Sequence, residues 1–118
     1  MKQDKKVAII TGSSQGLGAS IAKKLSKRDI NVVINYSSNE DLATETQKEC
    51  SKNGIEAITV KADVSKDKDC LKDLIVQLKL KNFILGGSSY GGGIALNTYL
   101  RHPEIRDQIK GIVILAAA

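Results

Sequence analysis

Residues 7–18 read Val7-Ala-Ile-Ile-Thr11-Gly-Ser-Ser-Gln-Gly-Leu-Gly18, and this stretch decides the fold. Its first five residues form a short apolar run that is typical of a buried β-strand. Leu17, Ile21 and Leu25 then recur at helical spacing, which predicts a helix directly after the glycines. A strand, a Gly-rich turn and a helix in this order expose backbone N–H groups at the helix N-terminus. They therefore predict a binding site for an anion such as a pyrophosphate.

The same alternation of strand and helix continues along the chain. Apolar runs predict four further strands, at residues 31–35, 56–62, 82–86 and 111–115. Ser38 and Ser65 are the expected N-caps of two of the intervening helices. Buried strands joined by helices favour a parallel sheet with right-handed crossovers. We expect an α/β fold: a three-layer αβα sandwich around a doubly wound, five-stranded parallel sheet in the order 3-2-1-4-5.

Composition limits the protein class. A chain of 118 residues predicts one domain, residues 1–118, and its 42% hydrophobic and 26% charged content is ordinary for soluble globular proteins. No apolar run approaches the roughly 20 residues of a membrane span, and residues 1–6 do not begin a signal peptide. The net charge is +5, but no aromatic residue interleaves the basic cluster at residues 23–28. We expect a soluble cytoplasmic protein, suited to recombinant expression, that binds neither membrane nor nucleic acid.

The two cysteines, Cys50 and Cys70, have no metal-ligand spacing, and no metal site is expected. The topology predicts them on helices that cover opposite faces of the sheet. Such layers lie about 20 Å apart, whereas a disulfide needs Cα atoms within about 7 Å. Both thiols are therefore expected to be free, as in a reducing compartment.

The pattern T-G-x-x-x-G-x-G is present as Thr11, Gly12, Gly16 and Gly18. With it, residues 4 to about 70 resemble the short-chain dehydrogenase/reductase family, closest in style to 3-oxoacyl-carrier-protein reductases. The resemblance implies a Rossmann-like fold and a nicotinamide cofactor whose adenine lies between Asp63 and Val64. The cofactor-binding positions that it implies are Gly12, Ser14, Gln15, Gly16, Leu17, Gly18, Tyr36, Ser37, Asp63 and Val64.

The choice between NAD and NADP depends on the end of the second strand. Tyr36 stands where NAD-preferring members of the family carry an acid, which favours NADP. No arginine follows it to hold a 2′-phosphate, and Gln15 stands where many NADP-specific members carry arginine. The resemblance therefore favours NADP(H) with weak binding.

Residues 87–91 read Gly-Ser-Ser-Tyr-Gly, which is the pattern G-x-S-x-G between a predicted strand and a predicted helix. From this motif, residues 71–118 resemble the α/β-hydrolase family at its nucleophile elbow. The resemblance implies Ser89 as the nucleophile position and the backbone N–H of Tyr90 as an oxyanion donor. One chain thus resembles two families, and the predicted junction lies in the third helix, near residues 70–76.

Neither catalytic set is complete in the sequence. No tyrosine is followed by lysine at the reductase spacing Y-x-x-x-K, and the single histidine, His102, follows Ser89 by one predicted helix. At 1.5 Å per residue the two lie roughly 20 Å apart. We expect His102 to face solvent rather than to activate Ser89, and the sequence predicts that the chain is not an enzyme.

The sequence leaves three interpretations. The first is an engineered chimeric scaffold with no selected activity and no required cofactor or partner, with a truncated natural reductase as its runner-up. The second is a weak NADP(H)- or nucleotide-binding module that uses the loop of residues 12–18. In this case nucleotide, phosphate or sulfate would bind where that loop meets the elbow at the switch point of the sheet. The third is a vestigial serine esterase at Ser89.

Overall fold

The computed structural model describes residues 5–66, 69–88 and 90–115. Strands and helices alternate along these ranges. The strands are β1 Val7–Thr11, β2 Asn31–Tyr36, β3 Ala57–Lys61, β4 Phe83–Ser88 and β5 Ile109–Leu115. The helices are α1 Gly16–Ser26, α2 Glu40–Ser51, α3 Cys70–Gln77, α4 Tyr90–Arg101 and α5 Pro103–Arg106.

The five strands form one parallel sheet in the order β3-β2-β1-β4-β5, which confirms the predicted topology. The chain moves outward from β1 through β2 to β3, and then crosses to the other side of β1 to form β4. The switch point therefore lies between β1 and β4. There Thr11, the last residue of β1, pairs with Gly87, so the loops that follow these two strands leave the sheet side by side.

Helices cover both faces of the sheet, as predicted. On one face, Ala22 of α1 and Ala43 and Cys50 of α2 pack against β2. On the other face, α3 and α4 cover a cluster that contains Val33 and Phe83. Burial of such aliphatic and aromatic side chains contributes about 1.5–3 kcal/mol each.

The cysteines confirm the prediction that depended on this layering. Cys50 is buried near the end of α2, Cys70 begins α3, and neither cysteine forms a disulfide. Burial raises the pKa of the Cys50 thiol, so that thiol stays protonated and unreactive near neutral pH.

Two predicted helix starts were wrong. Asn39, not Ser38, caps α2, because its side-chain oxygen accepts the backbone N–H of Leu42 at 3.0 Å. Helix α3 begins at Cys70 rather than after Ser65. Ser65 instead donates its hydroxyl to Asp63 in the turn that follows β3. At α2 the neighbouring asparagine forms the capping hydrogen bond that Ser38 was expected to form, whereas Asp63 binds the N–H and hydroxyl of Ser65 itself.

His102 is also buried, with 8% of its surface exposed, so the prediction that it faces solvent was wrong. Its Nε2 lies 3.0 Å from a carboxylate oxygen of Asp69, and its Nδ1 lies 3.0 Å from one of Glu104. Pro103 starts a new helix directly after it. The imidazole therefore lies between the start of α3 and the first turn of α5.

Across the described ranges, none of the helices has the length and apolar character to cross a membrane.

Candidate functional site

The loop between β1 and α1 needs glycine for two different reasons. Gly12 has a φ of 63°, a left-handed conformation that side chains with a Cβ rarely adopt. A Cβ at Gly18 would collide with the carbonyl oxygen of Gly12. The first turn of α1 therefore lies directly against the loop. Gly12 therefore permits the tight turn, and Gly18 permits the close approach.

Side chains of the protein itself do little to satisfy the backbone N–H groups at the N-terminus of α1. Its N-cap, Gln15, makes no side-chain capping hydrogen bond, and its first turn contains no acidic residue. A Cβ at Gly16 would meet no atom within 4 Å, so the space beside this turn is open. The first N–H groups of a helix have no intrahelical partner, and together with the helix dipole they attract an anion.

Buried polar side chains fix the loop to the rest of the sheet. Ser13 donates its hydroxyl to the carbonyl of Ile10 at 2.7 Å, and that hydroxyl accepts the backbone N–H of Asn35 at 3.0 Å. The hydroxyl of Thr46 on α2 donates to the carbonyl of Ser14 at 3.0 Å. Ser13, Asn35 and Thr46 were not predicted as site residues. The available signal was the pair of asparagines, Asn31 and Asn35, at the two ends of the apolar run of β2.

A cleft of about 180 Å³ lies beside this loop, at the switch point. Its walls come from the end of β1, the end of β2, the turn after β3 and the start of α4. The residues that line it are Thr11, Gly12, Asn35, Ser37, Ala62, Asp63, Val64, Ser65, Gly91 and Ile94. The Thr11 hydroxyl donates to the carbonyl of Gly91 at 3.0 Å. The Gly-rich loop and the segment predicted as an elbow therefore meet at one cleft.

Asp63 supplies a carboxylate to the cleft wall. It accepts the hydroxyl of Ser65 and, at 3.1 Å, the backbone N–H of the same residue. These two hydrogen bonds, the hydroxyl bond first, lower the pKa of Asp63 below its ordinary value. The side chain is therefore ionised throughout the neutral range, and its orientation is fixed by the turn.

Some of the predicted site residues line the cleft, and others lie between β1 and the first turn of α1. Gly12, Ser37, Asp63 and Val64 line the cleft. Ser14 and Gln15 lie in the loop after β1, and Gly16, Leu17 and Gly18 form the first turn of α1. Leu17 is half exposed, so it does not lie on the buried face of α1 with Ile21, as its spacing indicated.

Tyr36 does not line the cleft. The side chain of Tyr36 is 8% exposed and packs in the apolar cluster under α2, whereas the next residue, Ser37, lines the cleft. Ser89 lies outside the described residues, and α4 begins at Tyr90. The predicted roles of Ser89 as nucleophile and of the Tyr90 backbone N–H as oxyanion donor therefore stay predictions.

A family model described as short chain dehydrogenase matches residues 6–82. The chain belongs to the short-chain dehydrogenase family. The match confirms the resemblance of the N-terminal part, and it continues through the predicted junction in α3 to residue 82. The part of the chain that carries the Gly-rich loop, β1, β2, β3 and α3 is thus that of a short-chain dehydrogenase.

Curated relatives in this dehydrogenase family are similar to the chain over about half of its length. Glucose 1-dehydrogenase 2 from Bacillus subtilis (strain 168) is 48% identical over 62 residues, which are 52% of this chain and 24% of that protein. Elsinochrome reductase 1 from Elsinoe fawcettii is 45% identical over 69 residues, 58% of this chain and 26% of that protein. The match thus spans about a quarter of the length of these relatives.

Solved structures of dehydrogenases share the fold. An acetoin dehydrogenase from Salmonella typhimurium has a TM-score of 0.62 and 29% identity, over 72% of this chain and 36% of that one. A putative dehydrogenase from Burkholderia cenocepacia with bound NADP has a TM-score of 0.59 and 26% identity, over 71% and 34%. The similarity covers the larger part of the sheet and its helices.

These findings correct the prediction that the chain is not an enzyme. The relatives and structural neighbours are dehydrogenases and reductases, which are oxidoreductases. The prediction failed because it required a complete catalytic set in a chain that matches only part of its relatives. The same matches give no support to a hydrolase-like part at residues 71–118, to an engineered chimera or to an esterase.

Proposed function

We propose that this chain is the dinucleotide-binding part of a short-chain dehydrogenase and holds the adenosine and pyrophosphate of a nicotinamide cofactor in the switch-point cleft. One observation carries the proposal. The loop that leads from β1 to the uncapped N-terminus of α1 lines, through Gly12, a cleft whose other walls include Asp63 and Val64. An anion-binding helix end and an adjacent small cleft at a topological switch point are the features that dinucleotide binding needs.

The residues present fit the cofactor. Backbone N–H groups of the α1 first turn would hold the pyrophosphate, and open space at Gly16 would let it approach. Ser37 offers a hydroxyl to the ribose, while Asp63 and Val64 would flank the adenine, as the family resemblance implies. When bound, the cofactor supplies hydride transfer between an alcohol and a carbonyl compound. The chain's own contribution is to bind and orient the cofactor at this edge of the sheet.

NADP(H) is the proposed cofactor, because no acid stands at the end of β2, where residues 36 and 37 are tyrosine and serine. The bound NADP of the Burkholderia cenocepacia neighbour agrees with this choice. We expect the 118-residue chain to bind NADP(H) with a dissociation constant in the millimolar range. Residue 15 is glutamine rather than arginine, and no arginine directly follows Tyr36. The 3-oxoacyl-carrier-protein reductase subfamily stays a prediction.

The test is a titration of the chain with NADPH, NADH and ADP, followed by changes in backbone amide NMR signals. We expect shifts in the loop of residues 12–18 and at Asp63, and we expect Gly16→Ala to abolish them. Gly54→Ala is the matched control, because Gly54 also has a positive φ of 82° and also has open space around it. Each substitution costs about 1–2 kcal/mol of stability from the left-handed conformation, so only the position relative to the cleft differs.

Loss of binding in Gly16→Ala but not in Gly54→Ala would support the proposal. Wild-type signals that do not move with any of the three nucleotides would contradict it. Shifts that inorganic phosphate or sulfate reproduces in full would show a simple anion site instead of a dinucleotide site.

The esterase alternative gains nothing from the described residues. His102 directs its two ring nitrogens toward Asp69 and Glu104. A serine without an adjacent general base is a weak nucleophile near neutral pH. We therefore do not propose ester hydrolysis as the function.

A further inference from the structure

The two walls of the cleft come from segments that are far apart in the sequence, and β2 lies between them in the sheet. One wall is the Gly-rich loop after β1, and the other is the turn of residues 62–65 after β3. Asn35 stands near the end of β2 and is 2% exposed. A side chain at this position can contact both walls.

Asn35 makes that double contact through its amide group. Its Oδ1 accepts the backbone N–H of Gly12 at 3.3 Å. Its Nδ2 donates to the carbonyl of Ala62 at 3.0 Å and to that of Val60 at 3.4 Å. The acceptor thus faces an N–H group and the donor faces two carbonyl groups, so the orientation of the amide is set by its neighbours.

The backbone of Asn35 strengthens the attachment to the loop. Its carbonyl accepts the backbone N–H of Ser13 at 3.0 Å, and its own N–H donates to the Ser13 hydroxyl at 3.0 Å. The N–H groups of Gly12 and Ser13 are therefore directed toward β2. The next turn of the chain, at the start of α1, is left to contact an anion.

We propose that Asn35 is a positioning residue that holds the pyrophosphate-binding loop and the adenine-flanking turn in one fixed geometry, so that the two parts of ADP bind as a unit. This inference rests on the proposed function. An amide is required, because an aliphatic side chain would leave a buried N–H group and a carbonyl without their partner. A carboxylate would keep the acceptor but lose the donor to Ala62.

The same strand offers a matched control. Asn31 lies at the other end of β2, on the same face as Asn35, and is 1% exposed. Its Oδ1 accepts the backbone N–H of Glu56 at 2.8 Å, and it too joins β2 to the β3 segment. Asn31 and Asn35 therefore have similar burial and similar chemistry, but only Asn35 lines the cleft.

The experiment compares Asn35→Ala with Asn31→Ala by unfolding free energy, by dissociation constants for ADP, adenosine and pyrophosphate, and by hydrogen exchange of the Gly12 amide. Both variants should lose comparable stability. Asn35→Ala should weaken ADP by at least about tenfold while each fragment changes less than about threefold, because the loss is in the coupling of two subsites. It should also accelerate exchange of the Gly12 amide, whereas Asn31→Ala should change neither quantity.

A second variant covers the case in which Asn35→Ala does not fold. Asn35→Asp keeps the acceptor for Gly12, and its protonated form regains a donor for Ala62. Its ADP affinity relative to wild type at the same pH should therefore recover as the pH is lowered, while exchange of the Gly12 amide stays close to that of wild type, because the acceptor is kept.

Equal losses of ADP affinity in Asn35→Ala and Asn31→Ala would overturn the inference alone, and so would unchanged exchange at Gly12. A wild-type chain that does not bind ADP would overturn the proposed function and this inference with it. In that case, faster exchange at Gly12 in Asn35→Ala would still show that the failure lies in ligand binding and not in the hydrogen bonds of Asn35.

Discussion

Helices α1 and α2 both begin at the carboxyl edge of the sheet, but their first turns are built differently. Helix α2 has Asn39 as a bonded N-cap and carries Glu40 and Asp41 in its first turn. Helix α1 has Gln15 without a capping bond and no acid in its first turn. Side chains of the chain itself satisfy the N-terminus of α2, whereas that of α1 has no capping side chain. This difference supports α1, rather than α2, as the place of the proposed anion site.

The largest expected effect comes from giving α1 the features of α2. Gln15→Asp places a capping carboxylate where the phosphate would bind. We expect ADP affinity to fall by at least about tenfold, since loss of roughly 1.4 kcal/mol is tenfold. Thermal stability should rise, because a good N-cap contributes about 0.5–2 kcal/mol. Calorimetric titration and thermal denaturation of the same sample measure both. Unchanged ADP affinity would show that the N-terminus of α1 is not the anion site.

A smaller effect is expected from removing the cap of α2. Asn39→Ala breaks the hydrogen bond to the N–H of Leu42, and we expect it to lower the unfolding free energy by about 1 kcal/mol. ADP affinity should stay within about twofold of wild type. Urea denaturation and the same ADP titration test this pair of outcomes. A large loss of ADP affinity would mean that the start of α2 also contacts the ligand.

The smallest effect concerns Asp63, the acid of the cleft wall. Its pKa is lowered in the folded protein by the hydroxyl and backbone N–H of Ser65. A lowered pKa stabilises the fold at pH values above the unfolded value of 3.8, and this stabilisation is lost as the pH falls through the folded pKa. Asp63→Asn should therefore be less stable than wild type at pH 6, and the difference should shrink below pH 3.8. Urea denaturation at several pH values would detect it, and a constant difference would contradict it.

The sheet could be predicted because its information is local. Each strand is a short apolar run, and right-handed crossovers allow few orders for five such runs. Helix starts were harder to predict. Ser38 and Asn39 are both good N-caps, and only the folded backbone determines which of them caps α2. The glycines at positions 12 and 18 were predictable, because Gly12 allows the tight turn after the strand and Gly18 allows the helix to lie close to it.

The contacts that assemble the cleft could not be predicted, because they join residues that are distant in the sequence. In the sequence, Asn35 is simply a polar residue near the end of a strand. Its hydrogen bonds to Gly12 and Ala62 are visible only in the folded protein. Helical spacing predicts how far His102 lies from Ser89, but it carries no information about Asp69 at the start of another helix. Tyr36 was assigned to the cleft by family position, whereas its aromatic ring is apolar enough to join the core.

The bonds of Asn35 and Thr11 also differ in the length of chain that they close, which favours one order of assembly during folding. The contact between Gly12 and Asn35 closes a loop of 23 residues, and that between Asn35 and Ala62 closes one of 27. The contact between Thr11 and Gly91 closes one of 80 residues, which costs about 1 kcal/mol more in chain entropy. The loop and the turn on either side of β2 should therefore meet early, and the α4 wall should close over them last.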